Sequence, residues 1–216
     1  MTVFGGPWPD VPAYILGITR EIWEDRGIAT LDRYYAPDIV VRSPAGVVVG
    51  NRGVVAATMA TLAEFPDRTL LGEDVIWCGT QEAGILSSHR IFSTATHAGD
   101  GVYGPATGRR LGYRIIADCH ARDGRIDDEW LIRDQGAIVR QIGLDPLCYA
   151  RDLIAREGGP EAATRPFTPG ADRRGPYDGR GDPGEWGARH VDLLRRIMAA
   201  GFAAIPAAYD RACQLE

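Results

Sequence analysis

Between Cys119 and Asp134 the chain reads CHARDGRIDDEWLIRD. An imidazole, His120, and a carboxylate, Asp134, stand on either side of an Asp-Gly turn inside otherwise strand-like sequence. A histidine paired with a carboxylate can move a proton to or from a substrate, the commonest form of general acid–base catalysis. That chemistry needs the two groups within a hydrogen bond of each other. The pairing of the strands that carry them therefore decides the matter.

Two registers are open at Arg122-Asp-Gly-Arg125. A two-residue turn at Asp123-Gly124 pairs Arg122 with Arg125, whereas a three-residue loop with Gly124 left-handed at a bulge pairs Ala121 with Arg125. In the second register one face carries Tyr113, Ile115, Ala117 and Cys119 together with Glu129, Leu131 and Arg133. The other carries Arg114, Asp118, His120, Asp128 and Asp134, relieved by Ile116, Trp130 and Ile132. The first register mixes these sets, so alternation favours the three-residue loop. His120 then lies opposite Ile126 and Asp134 opposite Gly112, roughly 26 Å apart at ~3.3 Å per residue. They cannot share a proton, and His120 is expected to face solvent or an interface.

The elements that position these strands follow from periodicity. From Pro12 to Arg26, Ile15, Ile18 and Ile22 recur at helical spacing beside Trp23, with proline at the start and Gly27 at the end. Ile28 to Tyr35 reads as a second short helix closed by Ala36-Pro37. Ile39–Val41 and Val47–Val49, joined by Ser-Pro-Ala-Gly, read as a hairpin. Asn51 is placed to cap a third helix running through Glu64. Four runs near 68–78, 84–97, 110–122 and 125–135, rich in β-branched and aromatic residues, then predict an antiparallel meander. Helices followed by a meander imply an α+β domain with the helices packed on one face of a curved sheet.

Residues 157–187 differ, with 13 of 31 being Gly or Pro and almost none aliphatic. Such a stretch buries too little apolar surface to offset its ordering entropy and reads as a linker or extended arm. A helical stretch, His190 to Cys213, follows. Aligning Arg20 with Arg195 also matches Ile22 to Ile197, Ala29 to Ala204 and Tyr34 to Tyr209, which suggests the opening helices of a second, truncated unit. The expected organisation is a domain over 1–156, a linker over 157–187 and a helical extension over 188–216.

The bulk numbers exclude several classes. The chain has 216 residues, 45% hydrophobic, and a net charge of −5 with acids and bases interspersed. It carries no footprint for nucleic acid or anionic membrane. Cys78, Cys119, Cys148 and Cys213 stand far apart, which argues against a disulfide framework or zinc site and fits a reducing cytoplasm. No signal peptide or membrane span is read. GPATGRR, near 104–110, lacks the G-K-[ST] ending of a phosphate loop.

Several motifs occur in a telling order: F-P-D at 65–67, T-H-A-G at 96–99, P-A-T-G-R-R at 105–110, D-G-R-I at 123–126 and R-Q-I-G at 140–143. Residues 12–146 thereby resemble the SnoaL-like polyketide cyclase branch of the nuclear transport factor 2-like superfamily. The resemblance implies a cone-shaped sheet with N-terminal helices over its concave face and a pocket between them. In the characterised cyclases an aspartate seven residues after the turn glycine is the general acid/base for an aldol ring closure. A histidine seven residues before it assists, and a polar side chain follows two further back. Those positions are Leu131, Ala117 and Ile115 here, and the family's asparagine falls near Val41. All are apolar, and a leucine cannot exchange a proton, so that mechanism does not transfer.

The groups left on the pocket face are Tyr113, Cys119, Glu129 and Arg133. Glu129 in an apolar cavity should have a raised pKa, suited to a general acid or base. A salt bridge of Glu129 or Arg133 to helix residues such as Arg20 or Glu21 is the competing reading. Cys119 reads as a small buried hydrophobe. Alternation does not decide whether His89 or Arg90 points inward. His97 reads as structural or at the rim, and Trp23 as core first and pocket wall second.

The catalytic candidates are Glu129, Arg133 and His89. The candidates to line a substrate pocket are Tyr113, Ile115, Ala117, Cys119, Leu131, Val41 and Trp23. The function classes are a cofactor-independent cyclase, isomerase or lyase, a non-catalytic binder of a small hydrophobic molecule, and an assembly module. The apolar residues at 115, 117 and 131 favour binding, while Glu129 and Arg133 keep catalysis open. No metal or organic cofactor is expected. A cytoplasmic homodimer is.

Overall fold

Asp10 opens the first helix, α1 (Val11–Trp23): its carboxylate accepts the Ala13 amide at 2.8 Å, and Pro12 sits in the first turn, where no amide is needed. Tyr14, Ile15, Ile18 and Ile22 form its buried face. The helix stops at Trp23, short of the expected Arg26, whose backbone is left-handed at φ 59°. The expected second helix is a 3-10 turn, Ile28–Thr30, continuing into α2 (Leu31–Tyr34). The hairpin follows as β1 (Tyr35–Ser43) and β2 (Gly46–Val49). Helix α3 (Asn51–Glu64) is preceded by Gly50 at the cap position; the Asn51 amide instead donates to Asp32, 3.2 Å away. The meander comprises β3 (Thr69–Thr80), β4 (Gly84–Thr96), β5 (Arg110–Arg122) and β6 (Arg125–Arg133). Two helices not read from the sequence close the domain, α4 (Gln135–Gln141) and α5 (Pro146–Arg156).

These elements come from a computed structural model that describes residues 2–165, 168, 170, 172–177 and 184–213. The six strands form one sheet in the order β2-β1-β6-β5-β4-β3. Its meander is antiparallel as expected, but β1 lies parallel to β6, with Val41 beside Glu129 and Arg42 beside Trp130. The sheet is therefore mixed. A pairing between segments this far apart in sequence leaves no local turn signal. Helix α1 packs on β3 and α3 on β1, so both cover the concave face.

The β5–β6 hairpin corrects the expected register. Arg122 pairs with Arg125 across a two-residue turn, Asp123 and Gly124 both being left-handed at φ 53° and 78°. This is the primed turn whose twist matches that of the flanking strands. A bulge follows at once: Ala121 faces Ile126, but His120 faces Asp128, leaving Asp127 as the extra residue. The bulge restores the side-chain parity that the turn alone would have inverted. Cys119 stands opposite Glu129, Ala117 opposite Leu131 and Ile115 opposite Arg133, all on the concave face.

His120 and Asp134 stay apart. The Asp134 amide bonds the Arg114 carbonyl, six positions along β5 from His120, which is roughly 20 Å by strand rise. The Asp134 side chain caps α4 by accepting the Ala137 amide at 2.7 Å. Of the two surroundings expected for His120, solvent or an interface, solvent is excluded. The residue is 4% exposed, 2.5 Å from Asp127 through Nδ1, with the Tyr177 ring centred 6.1 Å away.

Tyr177 belongs to the Gly/Pro-rich stretch, and the chain divides into compact units at Met1–Tyr177 and Asp178–Glu216. On the outer face of the sheet, Arg42 is 1% exposed, its NH1 group 2.7 Å from Asp128 and its Nε bonded to Asp172. Its NH2 group donates to the Arg173 carbonyl at 2.9 Å, and its guanidinium lies over Trp130. The Tyr177 hydroxyl donates to Asp128 and accepts from the Trp130 indole. Residues 172–177 are thus fastened to the first unit by polar contacts. Residues 166–167, 169, 171 and 178–183 of the expected linker lie outside the described residues. The second unit's described residues form α6 (Glu185–Ala200) and a 3-10 turn, Gly201–Ala207, divided at Gly201 with φ 64°. Among the described residues, no helix is long and apolar enough to cross a membrane.

Candidate functional site

The concave sheet face and helices α1 and α3 enclose a cavity of about 120 Å³. Ile15, Ile18 and Ile22 of α1 reach it because the helix presents its apolar stripe to the sheet. Strand alternation supplies the rest, Val41 from β1, His89 from β4, Ile115, Ala117 and Cys119 from β5, and Glu129, Leu131 and Arg133 from β6. Trp23 completes this wall at the end of α1. Tyr113, on the same face, is not among the lining residues; it is buried beyond the cavity, its ring 5.9 Å from the Arg68 guanidinium.

Glu129 is 7% exposed. Burial raises its pKa to about 7, against the opposing pull of a hydrogen bond from Tyr35 and the charge of Arg133. No salt bridge joins it to α1: Glu21 instead accepts the Tyr34 hydroxyl at 2.6 Å. Tyr35 is itself held neutral, its pKa raised well above the ordinary phenol range by burial and then by the nearby Glu129 charge. Burial likewise raises the Cys119 thiol, which suits a wall and not a nucleophile.

Of the undecided pair on β4, His89 points inward and Arg90 outward. His89 is 2% exposed, and burial lowers its pKa to about 4, so it is a neutral imidazole at physiological pH. Its Nε2 has no hydrogen-bond partner among the described residues. Gly72 on β3 makes room for it: a Cβ there would stand 2.2 Å from Leu16 and 2.9 Å from His89 Nε2. Arg90 pairs with Glu73 on the outer face at 3.2 Å. His89 and Glu129 are separated by two strand spacings and two residues, roughly 12 Å between backbones. They line the same cavity without bonding each other.

Two titratable lining residues escaped sequence reasoning. Tyr35 stands at a helix–strand junction where neither period applies. Arg68 follows the F-P-D turn and is 2% exposed, its Nε donating to Ser93 at 3.2 Å and its guanidinium carbon 4.4 Å from the Trp23 ring centre. Burial lowers its pKa to about 10, which leaves it charged at neutral pH. His97, by contrast, serves the frame: fully buried, it lies between Glu64 and Thr107 at 3.3 and 3.1 Å. Among the described residues no group of three or more His, Cys, Asp or Glu side chains is set to hold a metal ion.

This arrangement places a carboxyl group that titrates near neutrality in an apolar cavity, with a neutral imidazole across from it and two arginines in the walls. Comparison with known proteins gives a consistent picture. The family model for SnoaL-like polyketide cyclase matches residues 13–142. IdmH from Streptomyces antibioticus, provisionally described as a polyketide cyclase, is 26% identical, with 61% of this chain and 96% of that one covered and a TM-score of 0.52. TsrD from Streptomyces laurentii is 22% identical, with 60% and 92% covered and a TM-score of 0.52. A protein from Jannaschia sp. CCS1, provisionally described as a SnoaL-like polyketide cyclase, is 18% identical, with 62% and 91% covered and a TM-score of 0.53. The latter two share the fold. No curated protein matches the chain.

Proposed function

The chain belongs to the SnoaL-like polyketide cyclase family, and on that premise we propose that its concave cavity takes a small hydrophobic cyclic or polyketide-like compound and that Glu129 exchanges a proton with it. The observation that carries this reading is the Glu129 carboxyl, buried in the cavity wall with its pKa near 7. A base with that pKa can remove a proton next to a carbonyl at neutral pH and return it elsewhere. Leu131 occupies the position of the family's acid/base aspartate, and Glu129 enters the same cavity two residues earlier on the same strand. The carboxylate is displaced along the strand, not lost. His89 contributes a neutral hydrogen-bonding group opposite that would stabilise a developing enolate, and Arg133 a positive charge toward the Ile115 end of the cavity. The reaction class is a cofactor-independent ring closure, isomerisation or elimination that begins by proton removal beside a carbonyl.

A second reading, a binder without turnover, is favoured by the apolar side chains of Ile115, Ala117 and Leu131 in the cavity wall. In either case the working form is a cytoplasmic homodimer. Support for the dimer comes from Leu71, Ile76 and Ile132, apolar side chains 65, 65 and 58% exposed on the outer strand faces.

Proton exchange separates the two readings. In D2O at pH 7.5, the wild-type protein should accelerate deuterium uptake at the α-carbon of 2-tetralone, followed by NMR. Glu129→Gln, which keeps the shape and removes the base, should lower that acceleration by about 100-fold or more, the usual contribution of a general base. Unchanged exchange in the variant would make Glu129 structural. Binding of the ketone with no exchange by the wild type would favour the binding module.

A further inference from the structure

We infer that the cavity's ligand is an anion, an apolar molecule carrying a carboxylate that Arg68 and Arg133 receive. This rests on the reading of the cavity as a ligand site and specifies what enters it. The charged side chains lining the cavity are Arg68, Arg133 and Glu129, so arginines outnumber carboxylates. Neither arginine forms an ion pair with a carboxylate among the described residues, and one guanidinium nitrogen of each, NH1 of Arg68 and Nε of Arg133, is buried with no hydrogen-bond partner. A buried cation without a counter-charge or a full set of acceptors is unfavourable.

The same fold provides a contrast. Arg42, as buried on the outer face as Arg68 is in the cavity, is met by both Asp128 and Asp172. Where an arginine serves only the frame, this chain supplies its counter-ion. In the cavity neither arginine has such an ion pair among the described residues: Arg133 acts against the charge of Arg68, and Glu129, which Arg133 does reach electrostatically, is one carboxyl for two arginines.

Geometry specifies the anion. The Arg68 guanidinium lies against the face of Trp23 and is tied to Ser93 through Nε, which leaves a planar N–H edge for a carboxylate. Ser93 pairs with Tyr113 on β5, and Arg133 pairs with Ile115 two residues along, so both arginines belong to one end of the cavity. Glu129 pairs with Cys119, four residues further along β5 from Ile115, roughly 13 Å by strand rise. The carboxylate is thus a handle at one end, and the carbon presented to Glu129 lies toward the other. The apolar wall between them accepts the body of the molecule.

Isothermal titration of the full chain with 2-naphthoate and with its neutral isostere 2-naphthamide tests this at pH 6. The naphthoate should bind at least about tenfold more tightly, the scale of one added charge-assisted hydrogen bond. Arg68→Met, or Arg133→Met should the first variant fail to fold, should reduce the preference for naphthoate over naphthamide to about twofold or less. Equal or tighter binding of the naphthamide by the wild type would overturn the anion assignment and leave the cavity a ligand site. If neither compound binds, the anion assignment falls together with the reading of the cavity as a ligand site.

Discussion

Glu129 and His89 share a cavity and respond to burial in opposite senses. Burial raises the carboxyl from 4.5 to about 7, so the folded protein holds that proton more tightly than the unfolded chain. Stability from this group is therefore greatest at low pH and falls as pH rises from 4.5 to 7. The imidazole is lowered from 6.5 to about 4, so the unfolded chain takes up its proton first. Stability from His89 is complete above pH 6.5 and is lost as pH falls toward 4. Each shift is on the order of 3 kcal/mol, and in the wild type the two largely cancel. Urea denaturation of Glu129→Gln should show stability rising by roughly 3 kcal/mol between pH 4 and 6.5 relative to wild type. His89→Gln should show the reverse slope between pH 4.5 and 7. Profiles parallel to wild type in both variants would mean that neither group is desolvated. Glu129, Cys119 and Arg133 were legible from alternation, because strand period assigns a face once the register parity is known. His89 and Arg90 were not separable, since each is a polar residue beside a plausible partner. Arg68 was invisible because its burial arises from the sheet curling over a turn, not from any local pattern.

At the scale of elements, one residue decides which way the site faces. The two-residue turn alone would send Glu129, Leu131 and Arg133 outward; the bulge at Asp127 turns them back. Deleting Asp127 should therefore invert β6 and abolish the cooperative melting transition, because a one-residue slip exchanges the buried and exposed faces. Asp127→Ala keeps the residue count and loses the contacts with His120 and Arg122, at a cost of about 1–2 kcal/mol. Circular-dichroism melts of the two variants check this, and equal stability would contradict it. Alternation gave the correct face from an incorrect turn because it reports parity and is blind to a compensating pair of irregularities. The parallel neighbour of β6 was beyond reach for another reason: β1 and β2 read as a self-contained hairpin.

The whole molecule extends further along the chain than its apolar pattern suggests. Residues 157–187 were read as a linker because composition measures apolar burial, and this segment has little to bury. Its attachment runs instead through Asp172, Arg173 and Tyr177 to the buried Arg42 and Asp128 and the half-buried Trp130. Truncation after Arg156 removes those partners and leaves a buried arginine with only part of its acceptors. Truncation after Tyr177 keeps them. The shorter protein should melt roughly 5 °C or more below the longer one, as a loss of about 2 kcal/mol implies for a domain of this size. Coincident melts would reduce the arm to a passive tether.

Proton transfer in the cavity turns on the state of one carboxyl group. An NMR titration of protein labelled with 13C at the glutamate side-chain carboxyl, with Glu129 assigned by its loss in Glu129→Gln, reads that state without any substrate. The midpoint expected for Glu129 is near 7. A midpoint in the ordinary glutamate range, about 4.3, would contradict it and remove Glu129 as the proton-transfer group.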